Sequence, residues 1–336
     1  VYAIVIGSMV TRPKWITQQY VEAVDRFQQA QASPIAVADV GGTKLAFAVI
    51  DAQGQVLDYA KHPTQAQEGG DAVLQRIGDH LNALVAAHPG IRAVGVSSGG
   101  VIDADGLVTF STNFMPGWKG QPIRARLEQH TGLPVAVAND GACAALGEAL
   151  YGAGRGYARS LTLTVGTGVG GGVVVDGQLY GGASRAAVSL GHIGIVRDGL
   201  PCPCGRHGCL EAYVSGAALV REYNSRAPQS GAVTTGEAVA ERALQGDTAA
   251  TAALDSLADW LGYGQASLSN LFDPSVFIIG GGLAEIGDPF FDRVRAALAN
   301  YGGAMTGVRP VIPAGLGTRA GLLGAAALAR QHLIDQ

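Results

Sequence analysis

The chain has 336 residues, enough for two domains with their own cores and no need of covalent staples. Apolar residues make up 48% and charged ones 15%, which excludes a disordered chain, and a formal net charge of −4 points to neither nucleic acid nor an anionic membrane surface as a partner. No run of about 18 apolar residues and no signal-peptide pattern occurs, so a soluble, cytoplasmic protein is expected. The 50 glycines fall in tight clusters and read as functional turns rather than low complexity.

In chain order, "YAIVIGSMVTRP" (2–13) reads as an apolar strand ending in Gly7-Ser8, followed by a helix that Thr11 caps and Pro13 opens. Ile16, Tyr20, Val24 and Phe27 share one face of that helix. A lone strand and helix cannot bury such a face, so residues 1–32 read as the last piece of something larger. "QQAQASP" (28–34) then reads as a linker. From Pro34, "IAVADVGGTKLAFAVIDAQGQVLDYAK" is three strands joined by glycine turns. A helix near 71–87, the strand "AVGVSSGG", a helix near 121–131, the strand "PVAVAND" and a helix over 141–151 follow. The pattern restarts at Ser160, where "LTLTVGTGVGGGVVVDGQLYGG" is again strand, glycine turn, strand, Asp-Gly hairpin, strand. A helix near 247–269, the strand "SVFIIGGG", a helix near 289–300, a strand near 308–312 and a helix from Ala320 complete it. Two copies of one pattern predict two related α/β domains around a cleft.

Three of the four cysteines lie in "GHIGIVRDGLPCPCGRHGCLEAY" (191–213). In a reducing compartment cysteines are more often metal-binding or catalytic than paired. His192, Cys202, Cys204 and Cys209 supply one nitrogen and three sulfurs, a closed set that suits structural zinc. His207 competes for the histidine position, and free cysteines in a loop are the plain alternative. Gly166, Gly168 and Gly171 satisfy the spacing of a dinucleotide fingerprint, but a strand follows them where that fingerprint needs a helix. Glycine turns between paired strands can instead present backbone N–H groups to phosphates. Asp140 stands where a strand gives way to a helix, a place for either an N-cap or a functional carboxylate.

The motifs "DVGGTK" (39–44), "NDGACAALGE" (139–148), "TVGTGVGGG" (164–172), "CPCGRHGCLEAYVSG" (202–216), "IIGGG" (278–282) and "AGLLGAAALA" (320–329) together resemble the ROK family of sugar kinases and sugar-sensing repressors. The resemblance runs from Pro34 to the C-terminus and is nearest to N-acetylmannosamine kinases. It implies the actin-like, hexokinase-like duplicated ATPase fold, with a first domain over 33–142 and a second, zinc-bearing domain over 143–319. The helix 320–334 packs back on the first. "YAIVIGSMVTRPKWIT" in turn resembles the C-terminal strand and helix of N-acetylmannosamine-6-phosphate 2-epimerase, a TIM barrel. Residues 1–32 are then the remnant of a covalently linked epimerase in a bifunctional protein, without enough of the barrel for that activity.

Carried over residue by residue, the resemblance makes Asp140 the base for the sugar 6-hydroxyl. Asn139, Asn113, Gly99, Gly100, His192 and Glu211 become sugar contacts. Asp39 is implied as the carboxylate for magnesium accompanying ATP. Gly41, Gly42, Thr43, Lys44, Thr167 and Gly168 face phosphates, and Gly280, Gly281 and Gly282 line the adenosine pocket. It also favours His192 over His207 as the zinc ligand, with its other ring nitrogen on the sugar. The zinc is structural, because a closed shell leaves no open position. One position departs from the family: Ser189 stands where most ROK kinases carry a glutamate that contacts the sugar near carbons 1 and 2. The activity expected is ATP-dependent phosphorylation of N-acetylmannosamine by a homodimer, with glucose or N-acetylglucosamine as alternative substrates. A repressor would need a DNA-binding helix pair before residue 34, and a kinase-dead sugar-binding protein has only Ser189 in its favour.

Overall fold

The computed structural model describes residues 13–111, 115–185, 189–227, 232–303 and 305–335. The first half comprises α1 (Pro13–Ala32), β1 (Ile35–Val40), β2 (Lys44–Ile50), β3 (Val56–Pro63), α2 (Gly70–Ala87), β4 (Val94–Ser98), β5 (Val101–Ile102), β6 (Val108–Phe110), α3 (Ile123–Thr131), β7 (Val135–Asn139) and α4 (Asp140–Tyr151). The second comprises β8 (Arg159–Val165), β9 (Val169–Val175), β10 (Gln178–Leu179), α5 (Gly216–Arg226), α6 (Gly236–Leu244), α7 (Thr248–Phe272), β11 (Val276–Gly280), α8 (Asp288–Tyr301), β12 (Val311–Pro313) and α9 (Ala320–Ile334).

The two sheets repeat one topology. Strand order is β3-β2-β1-β4-β7 in the first and β10-β9-β8-β11-β12 in the second. In each, an antiparallel meander is extended by two parallel strands. The central strands are covered on both faces, so they read as unbroken apolar runs rather than alternations. Asp176 and Gly177 turn β9 into β10, both at positive φ (50° and 77°), the hairpin geometry an Asp-Gly pair favours.

Several local expectations change. The stretch expected as a linker is helical as far as Ala32, so α1 reaches almost to β1. The strand ahead of it and Thr11 lie outside the described residues. Tyr20 and Phe27, assigned to an apolar face, remain 47% and 45% exposed, whereas Ala30 is buried. The short β5–β6 ribbon and the helices α5 and α6 were not expected. Their signals were Ser215 and Thr235, whose hydroxyls accept the N–H of Ala218 and Ala238 as N-caps.

Each half has its own apolar core, and a third core, built on α4 and α9, joins them. Here backbones meet with no room for side chains. A Cβ on Gly324 would lie 1.7 Å from the Cys143 carbonyl oxygen, and one on Gly147 would lie 2.3 Å from that of Ala320. A Cβ on Gly95 of β4 would meet the Ala325 carbonyl at 2.1 Å. Glu148, 1% exposed, closes the assembly. Its carboxylate accepts N–H bonds from Ala153 (2.9 Å), Gly315 (3.0 Å) and Leu316 (2.8 Å), tying the end of α4 to the loop that starts α9.

Alanine normally favours a helix over glycine by about 1 kcal/mol. At position 324 the clash outweighs that gain. Gly324→Ala is expected to lose about 1–3 kcal/mol of stability, the usual cost of overpacking, read as a lower denaturation midpoint in urea.

Candidate active site

The parallel strands β1, β4 and β7 end together at Val40, Ser98 and Asn139, and β8 and β11 end opposite them. Ligands of open α/β sheets bind outside such carboxyl ends. A cavity of about 1080 Å³ opens there between the two sheets, and both glycine turns reach its wall. Of the residues singled out from the sequence, the wall contains Gly41, Gly42, Gly99, Gly100, Asn139 and Asp140 from the first half. From the second it contains Thr167, Gly168, Ser189, His192, Cys204, Glu211 and Gly281. Thr43, Lys44, Gly280 and Gly282 stand outside it, as does Asp39, one residue behind Val40. Asn113 lies outside the described residues.

The helix cap at α4 is Asn139, not Asp140. Its Oδ1 accepts the N–H of Gly141 (3.0 Å) and Ala142 (3.4 Å), and its Nδ2 donates to the Gly100 carbonyl (2.8 Å). Asp140 thus sits in the first helical turn, where the helix dipole favours a carboxylate. Its Oδ1 accepts the adjacent Gly141 N–H (2.8 Å), no ion pair to it forms among the described residues, and its side chain lines the cavity. The surrounding walls nonetheless desolvate it. This pushes its carboxyl above the ordinary 3.8, against the pull of its bonds to Gly141 and Asn139.

Asp39 ends β1 more deeply. Burial raises its carboxyl above 3.8; the Ser97 hydroxyl, donating to Oδ1 at 2.6 Å, lowers it, and the charge of Asp140 raises it again. Ser97 was not singled out from the sequence, and neither was Gly321 at the start of α9. A Cβ on Gly321 would stand 3.3 Å from Asp39 Oδ1 and 3.2 Å from Ser97 Oγ.

The first glycine turn is pinned by Thr64, whose hydroxyl donates to the Gly41 carbonyl (2.7 Å) and whose N–H donates to Thr43 (3.0 Å). The second is a tight hairpin in which the Gly166 N–H bonds the Gly168 carbonyl (3.0 Å).

Below it, four side chains converge. The ligand atoms of His192, Cys202, Cys204 and Cys209 all lie within 4.8 Å of one another. Cys204 and Cys209 sulfurs are 3.6 Å apart, and the Cys202 sulfur is 3.5 Å from His192 Nδ1. A disulfide would need about 2.05 Å. Two thiolates bound tetrahedrally to zinc stand about 3.8 Å apart, and a thiolate and an imidazole nitrogen about 3.5 Å, so the spacings fit a metal centre. His207 is exposed and takes no part. Since Nδ1 faces the cysteines, Nε2 is the ring nitrogen left for the cavity.

Two topologically repeated halves facing one cavity lined by glycine turns and a carboxylate have the architecture of hexokinase-like phosphotransferases. Comparison with known proteins narrows the class: the chain belongs to the ROK family, whose sequence profile matches residues 35–332, and it is a sugar kinase of that family. A glucokinase of Streptomyces coelicolor is 38% identical over 310 residues, covering 87% of this chain and 96% of the relative. The bifunctional enzyme NanE/NanK of Brucella melitensis is 31% identical over 337 residues, covering 98% of this chain and 60% of that longer relative. The crystal structure of a ROK family glucokinase from Streptomyces griseus in complex with glucose and AMPPNP shares 37% identity and a TM-score of 0.75. That match covers 89% of this chain and 99% of the other. Among the described residues no helix is long and apolar enough to cross a membrane.

The raised carboxyl of Asp140 has a consequence for stability. A group whose folded value exceeds its unfolded one favours the folded state when protonated, and that contribution is lost as pH rises through the folded value. Asp140→Asn removes a charge that the fold disfavours while keeping shape. The variant is expected to melt higher than the parent at pH 7, and the difference should shrink as pH falls toward 3.8. Equal melting temperatures across pH 4–8 would contradict this.

Proposed function

We propose that the protein transfers the γ-phosphoryl group of ATP to the 6-hydroxyl of N-acetylmannosamine. The observation that carries the transfer is Asp140, an unpaired carboxylate of raised pKa on the cavity wall between two glycine turns. In this reading Asp140 takes the proton of the 6-hydroxyl as its oxygen attacks phosphorus. Asn139, with its oxygen on the cap and its amide N–H groups on Gly100 and Asp140, borders the sugar and steadies Asp140 beside it. The Gly99–Gly100 backbone, His192 Nε2 and Glu211 hold the other hydroxyls. Backbone N–H groups at Gly41, Gly42, Thr43, Thr167 and Gly168 receive phosphates, with Lys44 beside the first turn and Gly280, Gly281 and Gly282 toward adenosine.

Two cofactors belong to this reading. Asp39 and Asp140 are neighbouring carboxylates without a cationic partner, a hard oxygen set that suits magnesium. Asp39 would hold it directly or through water, and the bound ion would offset phosphate charge. The His192–Cys202–Cys204–Cys209 cage takes zinc as a structural element that fixes His192 toward the sugar. The same reading divides the chain into kinase domains over 33–142 and 143–319, with 320–334 packing back on the first. Residues 1–32 end an epimerase domain. In support of that last point, the match to the bifunctional relative covers 98% of this chain, which extends beyond the family-matched segment 35–332. The exposed Tyr20 and Phe27 of α1 suit a neighbouring domain as well.

The sugar is the finer point. Ser189 lines the cavity without a carboxylate, leaving room for a substituent at carbon 2. The second reading, glucose as substrate, is favoured by the 38% identity to the Streptomyces coelicolor glucokinase. Turnover on N-acetylmannosamine, N-acetylglucosamine, glucose and fructose decides between them. N-acetylmannosamine is expected to lead, and equal use of glucose would remove the argument from Ser189. Charge-assisted bonds contribute roughly 1.5–3 kcal/mol, so Ser189→Glu is expected to raise use of glucose about tenfold or more. Asp140→Asn should cut turnover at least about 100-fold with sugar binding retained. A loss below tenfold would reduce Asp140 to a helix residue.

For the cage, elemental analysis should find one zinc per chain, lost in Cys204→Ser together with some sugar affinity. Zinc retained in Cys204→Ser, or lost in His207→Ala while His192→Ala keeps it, would overturn the ligand set.

A further inference from the structure

The hairpin turn of Gly166–Val169, which the proposed function gives to nucleotide phosphate, is held from outside by a single short segment. Glu211 Oε2 accepts the Val169 N–H at 2.9 Å, across 42 residues of sequence. The Gly216 N–H donates to the Gly166 carbonyl at 2.7 Å. Both anchors lie within seven residues of Cys209, and the Leu210 N–H fixes their segment to the Ile193 carbonyl (3.0 Å), next to His192. From the other side Gly191 presses on the same turn: a Cβ there would lie 2.2 Å from the Val169 carbonyl oxygen. Gly168 faces Glu211 so closely that a Cβ would lie 2.5 Å from Oε2. The turn is therefore bracketed by Gly191, which adjoins His192, and by Glu211 and Gly216, two and seven residues beyond Cys209. Glu211 has one oxygen on Val169 and the other, Oε1, on the Cys202 side at 3.7 Å, while its side chain also lines the cavity.

We propose that Glu211 is a positioning residue for the phosphate turn, so that the four-ligand cage and the sugar govern nucleotide binding through the Glu211–Val169 hydrogen bond. This rests on the assignment of the turn to phosphate and of Glu211 to the sugar. A part-buried carboxylate bond to a backbone N–H sets the turn's N–H groups at one orientation before the nucleotide arrives, which lowers the cost of ordering them on binding. A sugar hydroxyl on Oε1 stiffens the same carboxylate, so sugar and nucleotide should each tighten the other's binding by the same factor.

The test uses Mg·ADP as probe on the full chain, with affinity measured by calorimetry in the absence of sugar. Hydrogen exchange is followed in peptides covering 166–172. In Glu211→Ala, Mg·ADP is expected to bind about five- to tenfold more weakly, the scale of one ordinary net hydrogen bond, and exchange at Val169 should accelerate. Glu211→Gln keeps an oxygen that can accept the Val169 N–H and should restore both readouts, although its sugar affinity falls. Metal-stripped wild-type protein should behave like Glu211→Ala. If the alanine variant does not fold, Glu211→Asp keeps the charge but falls one carbon short of Val169 and should show the same loss. Wild-type Mg·ADP affinity and unchanged exchange in the Ala or Asp variant would overturn the coupling. A sugar affinity untouched in Glu211→Gln would instead count against the sugar assignment alone, because Val169 protection is read separately.

Discussion

The contact on which the molecule depends is the crossing of α4 and α9, made backbone to backbone at Gly147 and Gly324. Side chains of ordinary size would hold these helices 8–10 Å apart. Glycine brings them closer, and with Gly95 beneath α9 the pair is pressed on to the first sheet. Both helices begin at the carboxyl end of that sheet, α4 with Asp140 and α9 with Gly321 against Asp39. One packing decision therefore fixes the two acidic groups and points two helix N-termini at them. The dipoles favour negative charge there, while burial and the proximity of Asp39 to Asp140 disfavour it. The balance is a raised carboxyl at each position, which suits a proton acceptor and a cation site and works against stability.

The second half of the site is organised by a different force. Between Ile193 and Leu210 regular structure is almost absent: isolated bridges pair Gly194 with Cys209 and Pro201 with His207. Within and beside it, four side chains able to ligate a metal bring their donor atoms within 4.8 Å of one another. The requirement is geometric. Glu211 and Gly216 must meet Val169 and Gly166 at hydrogen-bond distance, and an error of an ångström there would lose both bonds.

Much of this was legible in the sequence, for identifiable reasons. The meander strands, their glycine turns and the helices over 71–87, 141–151, 247–269, 289–300 and from Ala320 are local patterns, and the structure has them within a few residues. The convergence of these side chains was legible because three cysteines and a histidine at close spacing have few other uses, and in the fold His192, not His207, meets the cysteines. What escaped was decided by contacts distant in sequence. Asn139 as the cap, Ser97 on Asp39 and Glu211 on Val169 each depend on a neighbour that only the folded backbone supplies. Glu148 sat inside a recognised motif, yet its partners at Gly315 and Leu316 lie more than 160 residues away.

The glycine content connects these points. Composition and clustering suggested functional turns, but several glycines serve instead as points of close backbone contact. Gly141 approaches the Gly171 N–H, Gly191 the Val169 carbonyl and Gly281 the Val165 carbonyl, each within 2.5 Å of where a Cβ would be. The first of these contacts joins the two halves, α4 lying on β9, while the other two press segments of the second half on the hairpin between β8 and β9. A side chain at any of these points would push the backbone of its neighbour aside and displace the cavity wall. Glycine at these points measures how closely one backbone approaches another at the cavity wall. The 48% apolar content supplies the cohesion that lets such bare contacts persist.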